Sequence, residues 1–164
     1  MEELPTLRVL PNGVLIPTEE FLIAIHDRII DYRKEFGRED TRALRDRGVL
    51  QHLCDMLADR PHKYSNDAVR DTLYVATETF YNIACQHPFH DGNKSTAYVS
   101  ALVLIYANSY ANAINGKELH FGLYEDKWLL GAPKEAETIT RLAEAGQDDK
   151  ELKRLIKEFL QKSV

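Results

Sequence analysis

Cysteine is scarce in this chain: Cys54 and Cys85 are the only two, each inside an apolar pattern of helical spacing, with no Cys-x-x-Cys pair. That pattern builds neither a disulfide framework nor a thiolate metal cluster, and two reduced thiols in a helical core are expected. Basic residues are outnumbered, 21 against 26 acidic, for a net charge of -5 and a pI of about 5.7. The overall balance therefore lacks the basic face that nucleic acid or an anionic membrane requires, leaving only a local patch open. Long apolar runs are missing as well, since the richest stretch, Ala97 to Ala107, is short and interrupted by Tyr and Ser. The first residues, MEELPTLRVLPNG, show no basic segment leading into an apolar one, so no signal peptide and a cytoplasmic location are expected. No repeat, low-complexity tract or linker stands out. A single domain over 1–164 is expected, with 1–17 as an extended lead-in.

What is present is helical periodicity. Period-two alternation never runs long enough to build a sheet, which predicts an all-α fold. The Asn12-Gly13 pair suggests a short hairpin in the lead-in. Thr18 is a good N-cap, with Glu19 and Glu20 in the first turn, and Phe21, Leu22, Ile25, Ile29, Tyr32 and Phe36 recur at helical spacing up to Gly37, a C′ residue. A second helix is read from about Gly48 to Asp59, with Val49, Leu50, Leu53, Met56 and Leu57 on one face. A third, capped by Ser65, is read from about Asp67 to Gln86, with Val69, Leu73, Ala76, Phe80, Ile83 and Ala84 turned inward. A fourth, from Asn93 or Lys94 to about Tyr110, is apolar nearly all round and belongs at the centre. Leu119 to Leu130 is ambiguous, and amphipathic segments over Lys134–Ala145 and Asp148–Gln161 close the chain.

The junction between the third and fourth helices, Gln86-His-Pro-Phe-His-Asp-Gly-Asn93, carries the chemistry. Pro88 stops the incoming helix and drives His87 out of the right-handed α region, and Gly92 allows a positive-φ turn before the next helix. The N–H groups of Gly92, Asn93, Lys94 and Ser95 then point outward at a helix N-terminus, an anion site to which Lys94 adds charge. Asp91 offers a hard oxygen suited to Mg²⁺, and His87 offers a base with an ordinary pKa of about 6.5. Base, metal carboxylate and anion cradle are the parts phosphoryl or nucleotidyl transfer needs. Phe89 has no polar chemistry and is expected in the core, pegging the loop. Taken singly these residues have plain structural uses: Asn93 as a cap, Lys94 as a solvated side chain.

In order, HPFHDGNKST resembles the active-site motif of the Fic/Doc superfamily, His-x-Phe-x-Asp/Glu-Gly-Asn followed by Gly or Lys and usually Arg. Lys94 is similar to the Doc (death-on-curing) branch, and so are Ile25-His26-Asp27 and Arg45-Asp46-Arg47-Gly48-Val49-Leu50. The likeness extends over roughly residues 18–162. It implies a helical Fic bundle that uses ATP and Mg²⁺ to modify a protein hydroxyl. His87 would be the catalytic base, Asp91 the Mg²⁺ ligand, and Gly92, Asn93, Lys94 and Ser95 the phosphate cradle. For the Doc branch it implies a kinase toxin that phosphorylates a threonine of a protein such as elongation factor Tu, silenced by an antitoxin partner. AMP transfer follows instead if Lys94 leaves the usual nucleotide orientation open.

Ser95 departs from the pattern, which usually has Arg there. A charge-assisted bond to phosphate is worth about 1.5–3 kcal/mol, so the site is expected to be weakened unless another arginine reaches in. Arg45, Arg47 and Arg70 are the candidates. The alternative is a degenerate fold that binds nucleotide or a partner without turnover. Two His-Asp pairs, His26-Asp27 and His90-Asp91, also fit a metal phosphohydrolase, although Gly92 breaks the helix such a pair needs. His26 reads either as a site residue or as a helix-edge histidine capping a backbone group. Thr140 to Ala145 approaches the inhibitory-helix pattern of some Fic proteins, with Glu144 as an internal inhibitor but Ala145 where Gly or Asn is usual. Arg38, Arg42, Arg45 and Arg47 with the acids between them read as a solvated connection.

Overall fold

A computed structural model of the chain describes residues 5–59, 64–65, 67–113 and 127–163, with side chains throughout except at 109–113. The lead-in forms a two-residue antiparallel ribbon, β1 (Arg8–Val9) with β2 (Leu15–Ile16), closed by a turn in which Asn12 Oδ1 accepts from Val14 N. Helices follow at α1 (Glu19–Glu35), α2 (Arg47–Asp59), α3 (Ala68–Gln86), α4 (Asn93–Ala113), α5 (Lys127–Leu130), α6 (Lys134–Glu144) and α7 (Asp149–Ser163). The fold is all-α, as the periodicity predicts. Residues 119–126 of the ambiguous segment lie outside the described residues, and its end is the short α5.

α1 begins and stops where expected. Thr18 Oγ1 accepts from Phe21 N, and past the last turn Gly37, at φ 79°, donates to Lys34 O while Arg38 N donates to Arg33 O. α3 is capped differently from the expectation: Asp67, not Ser65, accepts from Val69 N and Arg70 N, because a carboxylate one residue before the helix reaches both orphan donors. Ser65 instead bonds Asp71. Val69, in the first turn of the helix, is also outside the core, 70% exposed.

α3 and α4 make the most extensive helix pair. Their buried faces include Ala76, Thr79, Ala84, Ala97, Ser100 and Ala101, small side chains that let the two backbones approach. Around them pack Phe21, Ile25 and Ile29 of α1, Leu50, Leu53 and Leu57 of α2, and Leu152, Ile156 and Phe159 of α7. α4 is the central helix. Its buried Asn108 acts as a strand partner for the lead-in, accepting from Leu15 N and donating to Leu15 O, which ties the ribbon to the core. Cys54 and Cys85 are free and half-buried, and burial raises both thiols, to about 12 and about 11. They stay protonated and unreactive at neutral pH. Among the described residues no helix is long and apolar enough to cross a membrane.

Candidate active site

α3 ends at His87, whose backbone takes the left-handed conformation, φ 49° and ψ 62°, the only described non-glycine residue with positive φ. The residue leaves the right-handed helix as Pro88 demands, into a region that is strained for a side chain with a Cβ. Pro88 and Phe89 are buried, Phe89 only 1% exposed. Phe89 stacks flat on His26 of α1, ring centroids 3.8 Å apart and planes within 4°. The peg is therefore a sandwich between the loop and α1, a more specific seat than a generic core position.

His26 is fully buried, and its Nε2 lies 2.8 Å from the Asp91 carbonyl. A carbonyl can only accept, so Nε2 carries the proton. Burial lowers the pKa of His26, opposed by that bond and by Asp27, which stands 3.3 Å from Nδ1. His26 thus caps a backbone group, but that group belongs to the loop 65 residues away rather than to a neighbour, which sets the residue against the loop as the family resemblance implies. The segment after α1 grips the loop from the other side. Thr41 N donates to Asp91 Oδ2, His90 N to Ala43 O, and Arg45 N and Asp46 N both to Pro88 O, with a β-bridge between Leu44 and Phe89. The expected solvated connection has exposed side chains at Arg42, Arg45 and Arg47, but its backbone braces the loop.

Within the loop Asn93 clamps both backbone polar groups of Phe89, its Oδ1 accepting from Phe89 N at 3.0 Å and its Nδ2 donating to Phe89 O at 2.7 Å. Its Oδ1 and one Nδ2 hydrogen are committed to the loop, which leaves its backbone N–H and the second Nδ2 hydrogen for a cradle. Gly92 sits at φ 79°, where a Cβ would stand 3.4 Å from Ile30, 3.6 Å from Arg33 Nη1 and 3.7 Å from His26. The N–H groups of Gly92, Asn93, Lys94 and Ser95 have no acceptor among the described residues, and the first loop-closing bond of α4 is Thr96 N to Gly92 O. An outward fan of donors at a helix start is what the sequence predicts, and here it opens on a cavity of about 330 Å³. Arg33, Arg38, Asp91, Lys94 and Ser95 line it, and Leu130 to Ala132 close its far side. A larger hollow of about 700 Å³ among α4, α6 and α7, beside Trp128, Leu142 and Phe159, contains no motif residue. The donor fan and the charged groups of the motif belong to the smaller one.

Arg33 is the residue that sequence reasoning missed. It projects from the last turn of α1, is 6% exposed, and gives Nη2 to Ser95 Oγ at 2.8 Å, Nη1 to Asp40 at 3.1 Å and Nε to the Leu129 carbonyl at 2.7 Å. Of the three arginines expected to cover for Ser95, none lines the cavity. Arg47 pairs with Glu19, and Arg45 is exposed, its charge felt at His87. Arg38, assigned to the solvated connection, lines the cavity and donates to the Leu130 carbonyl at 2.6 Å. The signal for Arg33 was a basic residue at a buried spacing of an amphipathic helix, four positions after Ile29.

His87 is half-buried at the opposite end of the loop. Burial lowers its pKa most, Arg45 and Lys94 lower it further, and the Glu144 carboxylate at the end of α6 opposes them. It is therefore neutral, a free base, at pH 7. Lys94 is exposed. Asp91 has Oδ2 on Thr41 N, and its Oδ1 has no partner among the described residues. Among the described residues no three His, Cys, Asp or Glu side chains gather to hold a metal. The donor set fits Mg²⁺ held by one carboxylate together with phosphate oxygens and water, rather than an all-protein cage. It does not fit a phosphohydrolase centre, since His26 is spent on a carbonyl and His90 is exposed.

A family model described as Fic/DOC family matches residues 16–105, which takes in α1, the gripping segment, the loop and most of α4. No curated protein and no solved structure matches the chain.

Proposed function

The chain belongs to the Fic/DOC family, whose domains generally transfer groups to proteins, and on that premise we propose that it is a Doc-type protein kinase. It moves phosphate from ATP with Mg²⁺ to a threonine hydroxyl of a protein, with elongation factor Tu as the substrate to try first. The observation that carries this reading is the loop itself: a neutral histidine, a carboxylate with one free oxygen and an unpaired N–H fan, rigidly held between α1 and the 41–46 segment.

The roles follow from the chemistry of each group. His87 takes the proton of the target hydroxyl as that oxygen bonds to the γ-phosphorus of ATP. The bond from this phosphorus to its bridging oxygen breaks, and ADP leaves with the electron pair. Asp91 is the protein ligand for Mg²⁺, which when bound offsets phosphate charge. Gly92, Asn93, Lys94 and Ser95 receive the phosphates, with the absence of a Cβ at Gly92 letting an anion approach the backbone. Lys94 favours phosphate over AMP transfer by occupying part of the space into which a nucleotide would otherwise run. An antitoxin that covers the loop would silence the protein.

Intact mass of a translation-factor substrate, incubated with the protein, ATP and Mg²⁺ beside a His87→Ala control, tests the reading. A gain of one phosphate that vanishes in the control is the expected outcome. A gain of one AMP moves the protein to nucleotidyl transfer, and no change on that substrate or in a whole lysate leaves a binding module.

A further inference from the structure

The motif arginine of the family is Ser95 here, yet the space beside Ser95 is not empty of positive charge. We propose that Arg33 of α1 is the guanidinium that binds phosphate in the α4 cradle, a motif arginine supplied from a different helix. The inference rests on the phosphate-handling reading of the loop and names a residue that reading does not contain.

Geometry comes first. Arg33 Nη2 lies 2.8 Å from Ser95 Oγ, so the side chain ends where a residue-95 side chain would begin. Nη1 lies 3.6 Å from where a Cβ on Gly92 would stand, alongside the backbone that carries the N–H fan. A guanidinium has five N–H donors. Three are used, on Ser95, Asp40 and Leu129, which leaves one on each Nη nitrogen at the wall of the cavity. The small hydroxyl at Ser95 both makes room for Arg33 and accepts from it. An arginine at 95 would press a second cation into the same place.

The spare donors favour a phosphate ligand over a mere tie between α1 and α5. A tie to the Leu129 carbonyl needs one neutral donor. Instead a cation is 6% exposed, faces the positive end of α4, and shares a cavity with Arg38 and Lys94. Three carboxylates line it as well: Asp40 is shared between Arg33 and Arg38, Glu137 pairs with Arg141, and Asp91 takes Thr41 N on one oxygen. What is left without acceptors among the described residues is the fan of four N–H groups together with the two remaining Nη hydrogens of Arg33, and an anion entering at that point would take them up. An oligophosphate tail with its Mg²⁺ is such an anion.

Calorimetric titration of the full chain with Mg-ATP, and separately with inorganic pyrophosphate, tests the assignment. Arg33→Gln is expected to weaken both ligands by about tenfold to 150-fold, the range of one charge-assisted bond. Ser95→Arg in the Arg33→Gln background is expected to recover most of that affinity, because it returns the guanidinium by the family's usual route. The melting temperature separates binding from packing: both variants lack the Leu129 and Asp40 bonds, so both stay less stable than the parent although only one binds weakly. Should Arg33→Gln fail to fold, Arg33→Lys is read in its place, with weaker binding of both ligands again expected because a point charge cannot fork. A folded Arg33 variant that binds as tightly as the parent overturns the inference and leaves the loop's function standing. Affinity that falls with stability and is not recovered by Ser95→Arg overturns it as well. A parent protein that binds neither ligand overturns the phosphate reading, and this inference with it.

Discussion

Asn93→Asp is an almost isosteric change that separates a loop clamp from a phosphate ligand. Oδ1 of the native side chain accepts from Phe89 N and Nδ2 donates to Phe89 O at 2.7 Å. A carboxylate keeps the first bond and loses the second, leaving two oxygens facing each other at the Phe89 carbonyl. Stranding a half-buried carbonyl costs about 1–3 kcal/mol. A negative charge in the first turn of α4 returns about 0.3–1 kcal/mol through the helix dipole. The net loss is about 1–2 kcal/mol, and a domain of this size shifts by roughly 2–4 °C per kcal/mol, so the melting temperature at pH 7 should fall by about 2–8 °C. The pH dependence makes the test specific. Protonating the introduced carboxyl restores a donor toward Phe89 O, so its folded-state pKa is raised by the clamp. The deficit relative to the parent at the same pH is therefore largest near neutrality and shrinks as pH falls through that raised pKa. Scanning calorimetry of both proteins from pH 7 to pH 4 reads it. A variant as stable as its parent at pH 7, or a deficit that does not shrink in acid, refutes the clamp.

Two further outcomes concern His87 and its surroundings. His87→Ala should lower transfer by about 10²–10⁴, whereas His87→Gly should be equally inactive yet melt above the alanine variant by about 2–4 °C, since glycine relieves roughly 1 kcal/mol at a left-handed position; equal stability of the two by calorimetry would falsify the strain at this residue. The pH-rate profile should show its acid limb below the usual histidine value of about 6.5, because burial, Arg45 and Lys94 hold the imidazole neutral. Glu144→Ala removes the carboxylate that opposes them, so that limb should move to lower pH with the plateau rate unchanged. A raised plateau would instead mark Glu144 as an internal inhibitor.

Much of this was legible in the residues because it is local. Thr18, Gly37 and the apolar spacing of α1 determine that helix within a few turns, and Pro88 with Gly92 determines where α3 stops and α4 starts. What lay beyond reach depends on packing between distant segments. Ser65 and Asp67 are both competent caps, and only the approach of Asp71 to Ser65 decides between them. His26 reads the same whether it caps a neighbour or a loop 65 residues on. The segment from Thr41 to Asp46 reads in sequence as part of a solvated polar connection, since its grip on the loop is made largely by backbone atoms that carry no residue identity.

The same logic explains why Ser95 is a poor guide to whether the site is intact. A motif records which residues stand beside a loop in sequence, but a phosphate meets groups at positions in space. α1 is packed on α4 and already supplies the ring under Phe89 and the donor to Asp91 O. Two turns further along the same helix, Arg33 arrives at the start of α4 for the same geometric reason: a side chain seven positions after His26 lies on the same face. Arg33 thus needs no new structural element, only a long side chain at a position the fold already aims at the cradle. A serine at 95 is the complement of that choice, small enough to admit the guanidinium and polar enough to hold it at 2.8 Å. The departure from the motif and the buried arginine of α1 are one feature, and reading either alone misjudges the site.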